Sequence, residues 1–173
     1  MTRDSMPSMV FFDMDGVLAV YDWDMYLPDD NGVPPYMQEK RHSFRYCKPD
    51  PVAIGLLRRF MSMRVPSFIL TAIRSDLPWV CHDKILWLER AIPEIDPSEQ
   101  LIVASGDKAQ AAMAAAKSRW LDRNMLLLDD FNQNLWDWHR AGGNAVKYLN
   151  GVNTRGTSGL AEFDSLAYRT EKY

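Results

Sequence analysis

The chain of 173 residues suits one domain, and its 47% hydrophobic content is enough for a sizeable core. A net charge of −3 argues against a broad nucleic-acid-binding surface. Its two cysteines have no metal-ligand spacing. The sequence also lacks the apolar core of a signal peptide and a run of about 18 apolar residues. We therefore expect a cytoplasmic protein from a reducing compartment, with no membrane partner.

The first predicted element is a buried strand that runs into two carboxylates. Residues 9–12 are consecutive apolar residues, and Asp13, Asp15 and Gly16 follow them. Because the pattern changes at Gly16, both acids should lie at the carboxyl edge of a sheet, where open α/β sheets bind ligands. The paired carboxylates repel each other, and a divalent cation such as Mg²⁺ would offset that repulsion. For this stretch alone, solvated aspartates at a strand end are an equal alternative.

The segment at about 19–47 differs from its surroundings. It begins with aromatic and acidic residues, continues through a turn-rich stretch and ends in a basic and aromatic one, without sustained periodicity. We predict a small cap insertion here rather than a second domain.

Helices and strands alternate from residue 51 onward. Apolar runs predict buried strands at 67–71, 101–104, 125–128 and 144–149. Periodicity, composition and capping signals predict helices at about 51–63, 78–91, 108–120 and 160–168, and another that ends before Gly142 and Gly143. This alternation predicts an α/β fold, a doubly wound (Rossmann-like) parallel sheet of five strands with helices on both faces.

Several polar side chains lie at or just beyond the carboxyl ends of these strands. They are Asp13, Asp15, Thr71, Lys108, Asp129 and Asp130. In a doubly wound sheet these ends form one edge, so residues far apart in sequence should meet in one cleft. The glycine-rich loop at 150–159 should lie at the same edge.

These residues resemble the four short motifs of the haloacid-dehalogenase-like hydrolases, and they occur in the same order. Residues 13–17 (Asp-Met-Asp-Gly-Val) resemble the first motif, and Thr71 after an apolar strand resembles the second. Lys108 resembles the third, and the acid pair at 129–130 after three leucines resembles the fourth. Residues 81–88 are also similar to a stretch of the 5′(3′)-deoxyribonucleotidase branch, whose cap is larger and helical.

The resemblance implies a phosphatase mechanism. Asp13 would be the nucleophile that forms an aspartyl-phosphate intermediate. Asp15 would first protonate the leaving group and then activate water as a base. Thr71 would donate its hydroxyl to a phosphoryl oxygen, where Lys108 would neutralise charge.

Mg²⁺ is the cofactor that the resemblance implies. Asp13, the backbone carbonyl of Asp15, and Asp129 would be its protein ligands. Asp130 would bind the metal through water or orient Lys108, and both interpretations stay open.

The expected partner is a small-molecule phosphate ester, and the similarity to the nucleotidase branch favours nucleoside 5′-monophosphates. Sugar phosphates are an alternative because the predicted cap is short. A nucleic acid is expected only as a substrate whose terminal phosphate is removed. A phospho-accepting receiver module uses similar residue types, but the order of the motifs argues against it.

Two residues are candidates for substrate contacts. Arg74 lies three positions after Thr71 and would contact the phosphate or the distal part of the substrate, although a surface arginine is the commoner case. Trp23, with Tyr21, Tyr36 and Phe44, would form a platform for a flat group. We favour the alternative that these aromatics form the core of the cap.

Overall fold

The computed structural model describes residues 6–20, 42–150 and 159–162. The strands are β1 (Met9–Phe12), β2 (Ala19–Val20), β3 (Lys48–Pro49), β4 (Ser67–Ala72), β5 (Leu101–Ala104), β6 (Met125–Asp129), β7 (Asn144–Leu149) and β8 (Gly159–Glu162). The helices are α1 (Pro51–Ser62), α2 (Trp79–Ala91), α3 (Pro97–Gln100), α4 (Lys108–Ala115) and α5 (Asn132–Arg140), and a 3-10 helix covers Ser43–Tyr46.

The main sheet has the strand order β5-β4-β1-β6-β7-β8. The first five of these strands pair in parallel, and helices cover both faces, which confirms the predicted α/β fold class. The sixth, β8, pairs antiparallel with β7 at the edge. Because β1 lies in the centre, the residues after it face the ends of β4 and β6.

The predicted helix at 160–168 is wrong for residues 160–162, which belong to β8. They pair with residues 146–148 of β7 and satisfy backbone groups that a β7 edge would otherwise leave without strand partners. This pairing outweighs the local preference for helix. Residues 163–168 lie outside the described part of the chain.

Apolar side chains of β1 point to two separate core clusters. Val10 and Phe12 pack on one face of the sheet with residues of α1 and α2. Phe11 packs on the other face with residues of α4 and α5, where it contacts the ring of Trp138 at a centroid distance of 5.0 Å. Successive side chains of the strand point to opposite faces of the sheet, so one apolar run contributes to both core clusters. None of the helices within the described ranges has the length and apolarity needed to cross a bilayer.

Local capping signals explain where α1 and α4 begin. Asp50 accepts hydrogen bonds from two backbone amides at the start of α1, directly before Pro51. Asp107 caps α4 by accepting a hydrogen bond from the backbone amide of Gln110. That helix ends at Ala115, within the segment 108–120 predicted to contain it, and Lys117 beyond it has a left-handed φ of 51°.

The ends of the predicted cap insertion lie side by side. Strand β2 pairs antiparallel with β3, with Ala19 opposite Pro49 and Val20 opposite Lys48. Between them, the described part includes the 3-10 helix at Ser43–Tyr46, which the sequence pattern did not predict. The assignment of 19–47 as a cap stays a prediction.

Candidate active site

The strand register brings Asp13 and Asp129 together. Asp13 follows β1, Asp129 is the last residue of β6, and Phe12 lies opposite Leu128 in this parallel pair. The backbone amide of Asp13 donates to the carbonyl of Leu128 at 2.9 Å. Two buried carboxylates therefore lie side by side at the carboxyl edge of the sheet.

Lys108 bridges these two carboxylates. Its Nζ lies 2.7 Å from Asp13 Oδ1 and 2.7 Å from Asp129 Oδ2, at the start of α4. Burial alone would lower the pKa of Lys108, but the charges of Asp129 and Asp13 raise it above its ordinary value. The ammonium of Lys108 therefore partly neutralises the site.

The carboxylates still outnumber the cations that contact them. Burial raises the pKa of Asp13 well above its ordinary value, and repulsion from Asp129 adds to this effect, while Lys108 opposes it. Burial, and then repulsion from Asp129, raise the pKa of Asp130 to about 7. The site thus favours either bound protons or a bound cation.

The oxygen atoms of three carboxylates fit a divalent cation. One oxygen each from Asp13, Asp129 and Asp130 lies within 4.8 Å of the others. Such oxygen donors suit Mg²⁺, and their charge excess is what a cation would offset. The side chain of Asp15 is not part of this group. The contribution predicted for Asp15 is through its backbone carbonyl, and it stays a prediction.

Backbone and amide donors orient this acidic group. The amide of Met14 donates to Asp13 Oδ1 at 2.6 Å. Asp129 accepts from the amide of Phe131 at 2.8 Å and from Asn134 Nδ2 at 3.0 Å. These contacts orient the carboxylates of Asp13 and Asp129.

Lys84 of α2 joins Asp15 to Thr71. Its Nζ lies 2.9 Å from Asp15 Oδ2, 2.6 Å from Thr71 Oγ1 and 3.0 Å from the carbonyl oxygen of Ala72. The Lys84 side chain is fully buried, and its ammonium lies 5.0 Å from the centroid of the Phe44 ring. The three acceptors match the three N–H donors of the ammonium.

Sequence reasoning missed Lys84, although a signal was present. Val80, Trp87 and Leu88 form a buried stripe of α2, and Lys84 lies on the same stripe by helical spacing. A charged residue within such a stripe requires buried partners. The adjacent Asp83 is also buried and accepts from Arg45 Nε at 2.5 Å.

Asn150 begins the loop at 150–159 that the sequence placed at this edge, but no motif gave it a role. Its Nδ2 donates to Asp130 Oδ2 at 2.7 Å and to the carbonyl of Gly16 at 2.8 Å. Gly16 has a φ of 77°, a conformation that favours glycine, which turns the chain back after the acid pair. Asn150 directly follows β7, and this position at the sheet edge was its only sequence signal. Residues 151–158 of the predicted loop lie outside the described part.

The structure brings together the six residues predicted from the strand ends. Asp13, Lys108 and Asp129 are in direct contact, and Asp130 joins them through the shared carboxylate group. Asp15 and Thr71 are linked through Lys84. Their catalytic roles stay predictions.

The two substrate candidates have different outcomes. Arg74 lines a cavity of about 330 Å³ beyond the ends of β4 and β5, and its guanidinium pairs with both carboxylate oxygens of Asp76 at 3.1 and 2.8 Å. Trp23 lies outside the described residues, as do Tyr21 and Tyr36. Phe44 is buried in the main core and packs edge-on against Trp87.

Comparison with known proteins gives matches at the level of structure. No family model matches the chain, and no curated protein matches it significantly by sequence. A HAD-family hydrolase (family IA, variant 3) from Entamoeba histolytica is 14% identical, with a TM-score of 0.55 over 79% of this chain and 82% of that one.

Two further solved structures are similar to this chain. A HAD-superfamily hydrolase from Ehrlichia chaffeensis is 14% identical, with a TM-score of 0.52 over 83% of this chain and 88% of that one. A HAD-family hydrolase from Deinococcus radiodurans is 18% identical, with a TM-score of 0.50 over 82% and 80%.

The fold and the acidic edge define a doubly wound α/β protein with a candidate ligand site at the carboxyl ends of its strands. More particularly, the fold is that of the haloacid-dehalogenase-like hydrolases. The resemblance in sequence motifs is thereby confirmed at the level of the fold. Proximity to the deoxyribonucleotidase branch stays a prediction.

Proposed function

We propose that this protein is a Mg²⁺-dependent phosphomonoesterase of the haloacid-dehalogenase-like class that forms an aspartyl phosphate on Asp13. One observation carries the proposal: the ammonium of Lys108 bridges Asp13 and Asp129, and Asp130 lies close enough to share a cation with both. A site that combines a carboxylate nucleophile with a buried ammonium and with oxygen ligands for a cation suits phosphoryl transfer.

Phosphorylation of Asp13 is the first chemical step. A carboxylate oxygen of Asp13 attacks phosphorus, and the ester P–O bond breaks with its electron pair on the leaving oxygen. Asp15 gives that oxygen a proton. Lys108 and the hydroxyl of Thr71 contact the phosphoryl oxygens, whose charge they stabilise.

Hydrolysis of the aspartyl phosphate is the second step. Asp15, now a carboxylate, takes a proton from water, and the resulting oxygen attacks phosphorus. The bond between phosphorus and the Asp13 oxygen breaks, and inorganic phosphate leaves. One residue thus serves as acid and then as base, which returns the enzyme to its initial state.

Asp13, Asp129 and Asp130 would hold Mg²⁺, together with the backbone carbonyl of Asp15. When bound, the ion neutralises the carboxylates and the phosphoryl oxygens. The raised pKa values of Asp13 and Asp130 support this assignment, since they result in part from repulsion among the acids.

Nucleoside 5′-monophosphates are the substrate class that we propose, on the basis of the similarity of residues 81–88 to the nucleotidase branch. The cavity beside Arg74 lies past the ends of β4 and β5 and offers space for the part of the ester away from the acids. The Deinococcus structure holds bound phosphate and sodium, an observation on that protein that fits a phosphate ligand here. The proposed location of the enzyme is the cytoplasm.

Hydrolysis of p-nitrophenyl phosphate tests the activity. We expect Mg²⁺ to support turnover, and EDTA and Asp13→Asn to abolish it. Asp122→Asn is the matched control, because Asp122 is exposed and precedes β6, at the opposite end of the strand from Asp129. Full turnover by Asp13→Asn would refute the nucleophile assignment.

A panel of nucleotides, sugar phosphates and oligonucleotide ends tests the substrate class. Preference for a nucleoside 5′-monophosphate is the expected result, and preference for a sugar phosphate would refute the nucleotide assignment. A phosphoprotein that persists for minutes after treatment with acetyl phosphate, without net hydrolysis, would instead support the receiver-type module.

A further inference from the structure

The buried ammonium of Lys84 has no part in the mechanism above, yet it contacts two of the residues in it. We propose that Lys84 is a positioning residue that determines where Asp15 and Thr71 carry their protons. The inference depends on the proposed phosphatase function, because it concerns the proton that Asp15 transfers and the hydroxyl that Thr71 donates.

An ammonium group can donate hydrogen bonds but cannot accept them. Lys84 Nζ lies 2.6 Å from Thr71 Oγ1, so the hydroxyl oxygen must be the acceptor in this contact. The hydroxyl proton of Thr71 consequently points away from Lys84. A hydroxyl oriented in this way donates to a phosphoryl oxygen without first breaking a hydrogen bond to a neighbouring acceptor.

The same constraint applies to Asp15. Lys84 Nζ donates to Asp15 Oδ2 at 2.9 Å, which lowers the basicity of that oxygen and favours Oδ1 as the oxygen that carries a proton. In the first step that proton moves from Oδ1 to the leaving oxygen as the ester bond breaks. In the second step Oδ1 accepts a proton from water. One donor thus assigns the acid and base role to a single oxygen atom.

The side chain of Lys84 is held firmly enough to fix where these protons lie. Its third donor contacts the carbonyl of Ala72 at 3.0 Å, and the side chain is fully buried beside the ring of Phe44. The helix that carries it is fixed nearby, since Trp87 Nε1 donates to the carbonyl of Cys47 at 2.8 Å. A side chain with few accessible rotamers transmits its geometry to its partners.

A purely structural role for Lys84 predicts a different result. If Lys84 only neutralised buried charge, its loss would lower the activity toward every ester by the same factor. If it places the proton of Asp15, its loss should matter most for esters whose leaving group needs protonation. Dependence on the leaving group therefore separates the two roles.

The test compares Lys84→Met with the wild-type enzyme on an alkyl phosphate and on 2,4-dinitrophenyl phosphate. The quantity compared is kcat/KM, which covers the steps up to departure of the leaving group. We expect a decrease of about 100-fold or more for the alkyl ester, and of about 10-fold or less for the dinitrophenyl ester, whose leaving group needs no proton.

Three variants calibrate this comparison. Asp15→Asn should show the same dependence on the leaving group, and Thr71→Val should lower both rates equally, since a phosphoryl contact is independent of the leaving group. Lys48→Met is the matched control, because Lys48 is exposed in β3 and undergoes the same chemical change. Addition of Lys84→Met to Asp15→Asn should cost less than it does in the wild type.

The outcomes separate this inference from the proposed function. Equal decreases for both esters in Lys84→Met would overturn the role of Lys84 and leave the phosphatase assignment intact. Absence of hydrolysis of both esters by the wild type would overturn both. Near-UV circular dichroism checks the fold of each variant, and Lys84→Gln, which keeps two donors without the charge, replaces Lys84→Met if that variant does not fold.

Discussion

The side-chain amide of Asn150 donates to the carboxylate of Asp130 across 2.7 Å, and this contact joins the end of β7 to the acid pair at the end of β6. The same amide group reaches the carbonyl of Gly16, in the turn after the first acid pair. Asn150 is buried, so its contacts are protected from competing water. One side chain therefore sets the distance between the two acidic turns.

Asn150→Ala should weaken metal binding more than folding. Without the amide, Asp130 loses a partner that orients it, and changes of this kind typically cost about 10- to 100-fold in metal affinity. A titration of phosphatase activity with Mg²⁺ measures the effect as a higher half-maximal concentration. Asn144→Ala is the matched control, since Asn144 lies at the opposite end of β7. An unchanged Mg²⁺ requirement in Asn150→Ala would contradict the prediction.

The metal-free protein should lose stability as the pH rises. The pKa of Asp130 is raised to about 7, so its carboxyl group stays protonated in the folded state over a range where the unfolded chain, with a pKa of about 4, has lost the proton. Its stabilising contribution is complete below about pH 4 and is lost as the pH rises through about 7. Asp13 acts in the same direction.

Urea denaturation in EDTA between about pH 4 and pH 8 measures this effect. We expect the free energy of unfolding to fall by roughly 1–4 kcal/mol over this interval. Mg²⁺ should reduce the fall, because a cation stabilises the ionised carboxylates. Asp130→Asn should flatten the curve, whereas Asp122→Asn should not. A free energy of unfolding that rises across this pH interval would contradict the predicted direction of the pH dependence.

Lys108→Met should damage both stability and activity. It removes the ammonium between Asp13 and Asp129 and leaves their buried carboxylates without that partner. We expect the free energy of unfolding in EDTA at pH 7 to fall by about 3–5 kcal/mol, and kcat to fall by about 100-fold or more. Lys48→Met should change neither quantity. Wild-type stability in Lys108→Met would contradict the bridging role.

Two glycines offer a test of the packing. A Cβ at Gly143 would overlap Nε1 of Trp138, whose side chain is fully buried, so Gly143→Ala should cost about 1–3 kcal/mol.

A Cβ at Gly55 in α1 would meet nothing within 4 Å, so Gly55→Ala should stabilise by about 0.5–1 kcal/mol. Thermal unfolding measures both changes, and destabilisation by Gly55→Ala would refute the second.

The fold was largely predictable because the sheet is built from compact apolar runs. Strands β5 and β7 have the predicted bounds, and β1, β4 and β6 differ from prediction by at most one residue. Each run leads directly into a polar residue, which placed Asp13, Thr71 and Asp129 at one edge. The edge strand β8 was not predictable in this way, because its pairing with β7 depends on a partner rather than on its own four residues.

Which residues contact one another in the site was less predictable than which residues belong to the site. Lys84 and Asp83 lie on a helix that was read through its apolar residues, and their partners come from distant segments. The contacts of Asn150 were equally hard to predict, since Asp130 and Gly16 become its neighbours only after the sheet has formed. Local patterns indicate which residues reach the edge, but tertiary packing determines which of them touch.

The pairing of β2 with β3 has a consequence for how this protein could be redesigned. The chain departs at Val20 and returns at Lys48, directly opposite in the same short ribbon. The chain positions on either side of residues 21–47 are therefore neighbours in space. We expect that a segment from another protein of this fold could replace residues 21–41 and change the substrate preference, provided that Phe44, which packs beside Lys84, is kept.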